Sequence, residues 1–243
     1  MNSFVAVFKR ELKSYFTTPI AYVFLVVFLF FSGYLTFKNG FFEIRQEDLF
    51  SFFINMSLLF VFFLPAISMR LWAEERRIGS IELLLTLPFT VTQAFLGKFF
   101  SAWLFLIIAL ALTFPMVITV CYLGDPDISL IITGYLGTVL MAGGFLSIGC
   151  FFSIVSKNQV ISFVLSVVTC AILVFAGMPT TLNYLSTFLP AGLVSAVGSF
   201  SFQLHFESLQ KGLLEFKDIS YFILMIVGWI VASTYMLDER KAC

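Results

Sequence analysis

Six stretches of the chain, 14–37, 49–69, 99–124, 128–156, 158–204 and 219–237, carry no charged side chain. Crossing a hydrocarbon core about 30 Å thick takes roughly 20 apolar residues of helix, so each stretch can hold a membrane span. Only 12% of the 243 residues are charged and 60% are hydrophobic, against about 25% charged in a typical soluble domain. That excess of apolar side chains needs lipid to face. The expected fold is an all-α polytopic membrane protein with six transmembrane helices, an N-terminal interfacial amphipathic helix and a re-entrant helical region before the last span. All of it forms one transmembrane domain over 1–243.

Ahead of the first span, Phe4, Val7, Phe8, Leu12 and Tyr15 recur at helical spacing, while Lys9, Arg10 and Lys13 fall mainly on other sides. The pattern predicts an amphipathic helix within 1–18 that lies in the membrane interface, its basic residues toward anionic head groups. The alternative is a frayed polar leader. Pro19 suits either a turn or the first position of the next helix. No small-residue cleavage site closes the first span, so it is expected to stay in the mature protein. Cys121, Cys150, Cys170 and Cys243 lie singly in or beside apolar segments and read as packing residues. A formal net charge of zero argues against nucleic acid as a partner.

With six spans and a cytoplasmic N-terminus, the inner segments hold ten of the fourteen basic residues, among them Lys9, Arg70, Arg76, Lys157 and Arg240. The outer segments keep Lys38, Arg45, Lys211 and Lys217 together with eight of the fourteen acids. The positive-inside rule therefore places both termini in the cytoplasm. Stretch 158–204 is long enough for two spans, which would move the C-terminus outside. Its second half carries Thr180, Asn183, Pro190, Gly192 and Ser195, too polar and broken for a lipid-exposed helix. A re-entrant pair of short helices over 179–199 is the expected form, because backbone of that kind is tolerated where protein surrounds it. Segment 201–218 alternates aromatic and polar residues and reads as an interfacial helix or short loop on the outer surface, with His205 as a surface hydrogen-bonding group.

The longest cytoplasmic segment is 70–98. Ser80 can cap a helix, Glu82 sits in its first turn where the dipole favours an acid, and Pro88 forbids continuation. The result is a helix of about two turns with Ile81, Leu84 and Leu85 on one side, too short to be stable alone in water. Its face docks either on the protein's own helix ends or on a partner. In the fourth span, Gly143 with Ser147 and Gly149 with Ser153 permit close helix approach, expected within the chain rather than at a dimer seam.

The uncharged stretches hold none of the ionisable residues that intramembrane enzymes and ion-coupled carriers display. There is no HExxH pairing, and Gly97-Lys98 lacks the earlier glycine of a phosphate-binding loop. No metal or catalytic site is indicated, and the energy for any transport must come from a partner.

Glu75, Gly79, Ser80, Glu82, Leu84, Leu85, Pro88, Gly97 and Lys98 resemble the segment between spans two and three of type-2 ABC transporter permeases. Ser201, Phe202, His205, Phe206, Gly212, Asp218, Tyr221 and Phe222 resemble the gliding-motility (GldF-like) branch, with Ser80 where the family often has threonine. The resemblance implies a permease without its own ATPase site, working with two copies of an ABC ATPase that bind ATP and Mg2+ and with a second permease, identical or related. It also implies a bacterial inner membrane and, for that branch, an auxiliary membrane protein with a large outer domain. On this reading 70–98 is the coupling segment. Glu74, Glu75, Arg76, Arg77 and Glu82 would offer charged contacts to the ATPase, Ile81, Leu84 and Leu85 apolar ones, and Gly79 and Ser80 the turn and cap. The cargo would be lipid-like or amphipathic, unless the complex transmits force instead. The alternatives are a membrane scaffold or assembly protein without transport activity and an intramembrane transferase.

Overall fold

The computed structural model describes residues 3–38, 49–79, 90–124 and 126–239, and these are helical with short connections. Helix α1 (Ser3–Thr17) meets α2 (Pro19–Lys38) at Thr18, whose hydroxyl donates to the Ser14 carbonyl at 2.9 Å. Pro19 opens α2, where its missing N–H would be unsatisfied anyway. Then come α3 (Phe50–Ile78), α4 (Val91–Ala111), α5 (Phe114–Leu123), α6 (Ile128–Val155) and α7 (Gln159–Phe175). Three short helices follow, α8 (Pro179–Phe188), α9 (Ala191–Ser199) and α10 (Phe202–Gln210), before the last span, α11 (Phe216–Glu239).

By length and hydropathy, α2, α3, α4 with α5, α6 and α11 make five candidate spans, and α7 and α8 pass the same test only together, as a pair bent by 81° such as a broken span or a re-entrant loop gives. The chain is a multi-pass helical membrane protein. The expected single span over 99–124 is broken at Leu112 and Thr113. The cause is Pro115, which has no N–H to return to the preceding turn. Thr113 takes over, donating to the Leu110 carbonyl at 2.6 Å and bonding the Tyr135 hydroxyl at 2.8 Å.

Helix α6 is the most buried span and packs on α3, α4, α7, α10 and α11. It gets close to α3 because it lacks side chains where they touch: a Cβ at Gly149 would lie 1.9 Å from Ser68 Oγ. One turn on, the Ser153 hydroxyl accepts from the backbone N–H groups of Trp72 and Ala73 at 3.1 and 3.0 Å and donates to the Met69 carbonyl at 3.1 Å. The small residues of this span thus serve contacts within the chain, as expected. Cys150 and Cys170 pack in the interior, but Cys121 on α5 is exposed and is no packing residue of this chain. Cys243 lies outside the described residues.

The spans run alternately up and down. At one end, Glu75 near the end of α3 meets Lys98 near the start of α4, and the Phe151 ring of α6 lies 5.1 Å from Trp229 of α11. At the other, Asn55 of α3 donates to the Leu35 carbonyl of α2 at 3.4 Å. The chain leaves the bundle after α7 and returns to the same place. Ser201 Oγ lies 3.5 Å from the Val174 carbonyl oxygen, and a Cβ at Gly177 would sit 2.1 Å from that hydroxyl. Residues 178–200 therefore start and finish at one depth, as a re-entrant excursion does and a second crossing does not. With six crossings, Ser3 and Glu239 lie at the same end of the bundle.

The alternation expected to form an outer surface segment over 201–218 divides: 202–210 is a helix packed on the bundle, and 211–217 lies at the surface. Phe202, His205, Phe206 and Leu209 of α10 face inward and pack on α6, α7, α3 and α11. Their spacing of three and four is the helical period, overlaid by the half-buried polar residues Gln203, Glu207 and Ser208 between them.

Candidate functional site

At the end of the bundle where α1 lies, the last two turns of α3 carry Trp72, Glu74, Glu75, Arg76 and Arg77, and Gly79 closes the helix at a φ of 77°. That left-handed turn is open to glycine without steric cost and redirects the chain out of α3. The chain re-enters at Thr90, whose side chain accepts from the Gln93 N–H at 3.3 Å and so caps α4. The amphipathic coupling helix expected at Ser80, Ile81, Glu82, Leu84 and Leu85, with Pro88 after it, lies outside the described residues. Its two roots do not.

Two contacts hold those roots. Lys98 is 2% exposed; its ammonium lies 2.5 Å from Glu75 Oε1, donates to the Leu71 carbonyl at 3.0 Å and sits 4.5 Å from the centre of the Trp72 ring. A desolvated ammonium is retained only with such partners, here a carboxylate, a carbonyl and an aromatic face. The Arg76 guanidinium donates to the carbonyls of Ile154 and, at 2.9 Å, Val155, the last residues of α6, where helical carbonyls lack partners of their own. Helices α3, α4 and α6 are thereby fastened together beside the 80–89 segment.

The reading that no ionisable residue enters the spans is corrected here. Both α3 and α4 run beyond the uncharged stretches, and Lys98 falls inside α4 because Glu75 makes its burial tolerable. Of the charges proposed for an ATPase contact, Glu74 and Arg77 are exposed, as is Gly79, while Glu75 and Arg76 are engaged within the chain. Gly97 has a packing role: a Cβ there would lie 2.9 Å from the Val7 side chain, so its absence lets α1 cross α4 closely.

Helix α1 is as amphipathic as its sequence suggests. Val7 is buried and Leu12 half-buried; Phe4 lies against Phe8 and Phe100, with ring centres 6.2 Å apart in both pairs. Lys9, Arg10 and Lys13 are exposed, with Arg10 2.7 Å from Glu11.

The opposite end has a second cluster. His205, taken from sequence as a surface group, is buried. Its Nδ1 lies 2.6 Å from Asp218 Oδ1, its Nε2 3.0 Å from the Ser199 carbonyl, and its ring stacks on Tyr221 at 3.9 Å. Because Nε2 faces a carbonyl, it must donate. The Tyr221 hydroxyl donates to the Phe200 carbonyl at 2.5 Å, Ser201 caps α10 through the Gln203 N–H, and Phe202 packs on Phe145 at 4.7 Å. This clasp ties α9, α10 and α11 together and gathers most of the outer residues singled out in the sequence. Their common spacing was legible; their pairing was not, since His205 and Asp218 are thirteen positions apart. Among the described residues no three of His, Cys, Asp and Glu gather as metal ligands would. No known protein family and no curated protein sequence matches the chain.

Proposed function

We propose that this chain is the transmembrane permease subunit of an ATP-binding cassette complex in a bacterial inner membrane, with both termini in the cytoplasm. ATP and Mg2+ bind two copies of a separate ATPase, and a second permease completes the membrane part. The observation that carries the reading is the joint formed by Glu75, Arg76 and Lys98. It fastens both roots of the 80–89 segment to α3, α4 and α6, so a displacement of that segment by a partner moves several spans together. The sequence resemblance of Glu75 to Lys98 to the coupling region of such permeases supports the same assignment. The charge distribution agrees: the joint lies at the end that carries Lys9, Arg10, Lys13, Arg70, Arg76 and Arg77, the side that the positive-inside rule makes cytoplasmic. Chemical work is left to the ATPase, and the complex exports a lipid-like or amphipathic molecule or transmits force to an outer partner.

Affinity purification of the full chain from its native membranes tests the assignment. A P-loop ATPase should be recovered in equal proportion to the permease; recovery of the chain alone, or with a partner that hydrolyses no nucleotide, overturns it.

A further inference from the structure

Between α1, α2, α3 and the start of α4 lies a cavity of about 620 Å³. Ligand sites typically measure about 300 to 1,000 Å³. Its lining is sorted along its length. Toward the membrane interior it is apolar, walled by Val23, Phe24 and Val27 of α2 and Phe62, Phe63 and Ala66 of α3. At the α1 end it is charged, with Glu11, Arg70 and Glu74 at the rim and the Glu75–Lys98 pair beside them. Among the described residues no ion pair engages Arg70 or Glu74, and both are exposed. Val23 and Val27 are exposed as well, so the apolar part opens sideways where lipid chains run.

We infer that the cavity binds one phospholipid from the adjoining leaflet, with an amine-bearing phosphate head group. Arg70 receives the phosphate and Glu74 the ammonium, while an acyl chain fills the space between α2 and α3. The charges select this occupant over others. A guanidinium at the interface pairs with phosphate by charge-assisted hydrogen bonds. The Glu74 carboxylate beside it disfavours a purely anionic head group and favours one that brings its own cation, whereas Glu11 is already paired with Arg10 at 2.7 Å. The Glu75–Lys98 pair is already neutral and adds no net charge. Tyr15, stacked on Phe105 at 4.9 Å, forms part of the wall. Seen this way, α1 is one side of a head-group site as well as an interfacial anchor. The binding needs no nucleotide and so does not depend on the transport reading.

The test is photo-crosslinking of the full chain in nanodiscs, using a phosphatidylethanolamine with a diazirine in its acyl chain, with crosslinked peptides mapped by mass spectrometry. Labelling should concentrate on α2 and the second half of α3 and be displaced by unlabelled phosphatidylethanolamine at least tenfold more effectively than by phosphatidylglycerol. Ala66→Trp should block the apolar part and abolish the concentrated labelling. Arg70→Gln, at an exposed position that makes no ion pair among the described residues, should keep the fold and weaken displacement by phosphatidylethanolamine about tenfold. Labelling spread over every lipid-facing helix and insensitive to competitor overturns the site. Equal displacement by the two lipids, or an Arg70→Gln protein that behaves as wild type, overturns the head-group assignment.

Discussion

Replacing Lys98 by methionine removes the cation from the joint at the root of the 80–89 segment while keeping most of the side-chain volume. Lys98 is almost wholly buried and Glu75 retains 22% of its side-chain exposure, so the carboxylate left behind loses the Lys98 ammonium but keeps some water. Removing one member of a buried ion pair costs about 3 to 5 kcal/mol, and the residual exposure of Glu75 places this case near about 3. The stacking of the ammonium on Trp72 adds about 1 kcal/mol to the loss. At roughly 2 to 4 °C per kcal/mol for a chain of this size, the melting temperature in detergent should fall by about 8 to 16 °C. The double variant Glu75→Gln with Lys98→Met removes both charges of the pair and should recover at least about 1.5 kcal/mol relative to the sum of the single effects. Reversible unfolding in mixed micelles measures all three variants. Single effects that add to within about 0.5 kcal/mol in the double variant would refute the coupling on which the joint rests.

Three further outcomes follow from the packing. Gly149→Leu drives a side chain into Ser68 across the α3–α6 contact and should cost at least about 1 to 3 kcal/mol, read by the same unfolding assay; a neutral effect would mean that α6 lies farther from α3. His205→Leu leaves the Asp218 carboxylate buried without its partner and should lower stability by about 3 to 5 kcal/mol, with His205→Leu/Asp218→Asn less affected; equal losses would show the pair to be uncoupled. Lys211→Cys, at an exposed position just after α10, should react with an impermeant maleimide in intact cells, whereas labelling only after permeabilisation would place the clasp on the cytoplasmic side. The neighbouring Gln210 is buried and would be a poor probe.

The spans were legible because lipid tolerates so little else: an uncharged run of about 20 residues has few other fates. The amphipathic α1 was legible for the same reason, through the spacing of Phe4, Val7, Phe8 and Leu12. Local breaks were harder to see. Pro115 sits inside a run that hydropathy treats as continuous, and only the loss of its N–H interrupts the helix at Thr113. Segment 201–218 mixes two patterns, and aromatic residues separated by polar ones concealed the inward face of Phe202, His205, Phe206 and Leu209. The joint was beyond reach for a different reason. Nothing in the surroundings of Lys98 names Glu75 as its partner 23 positions earlier, and counting charge-free runs excluded both residues from the spans they belong to. The residues of the outer motif were visible one by one, but their assembly depends on the chain closing an excursion from Gly177 to Ser201, which is a tertiary event.

The central claim is that the 80–89 segment couples this chain to an ATPase, and Leu84→Asp tests it most directly. The substitution places a carboxylate on the apolar face expected to dock, and an unpaired carboxylate is costly to bury even after it takes up a proton. Purified with its ATPase and reconstituted, the Leu84→Asp protein should insert and fold as wild type yet lose complex yield or the coupling of hydrolysis to the membrane subunits; wild-type yield and wild-type coupled hydrolysis would contradict the account.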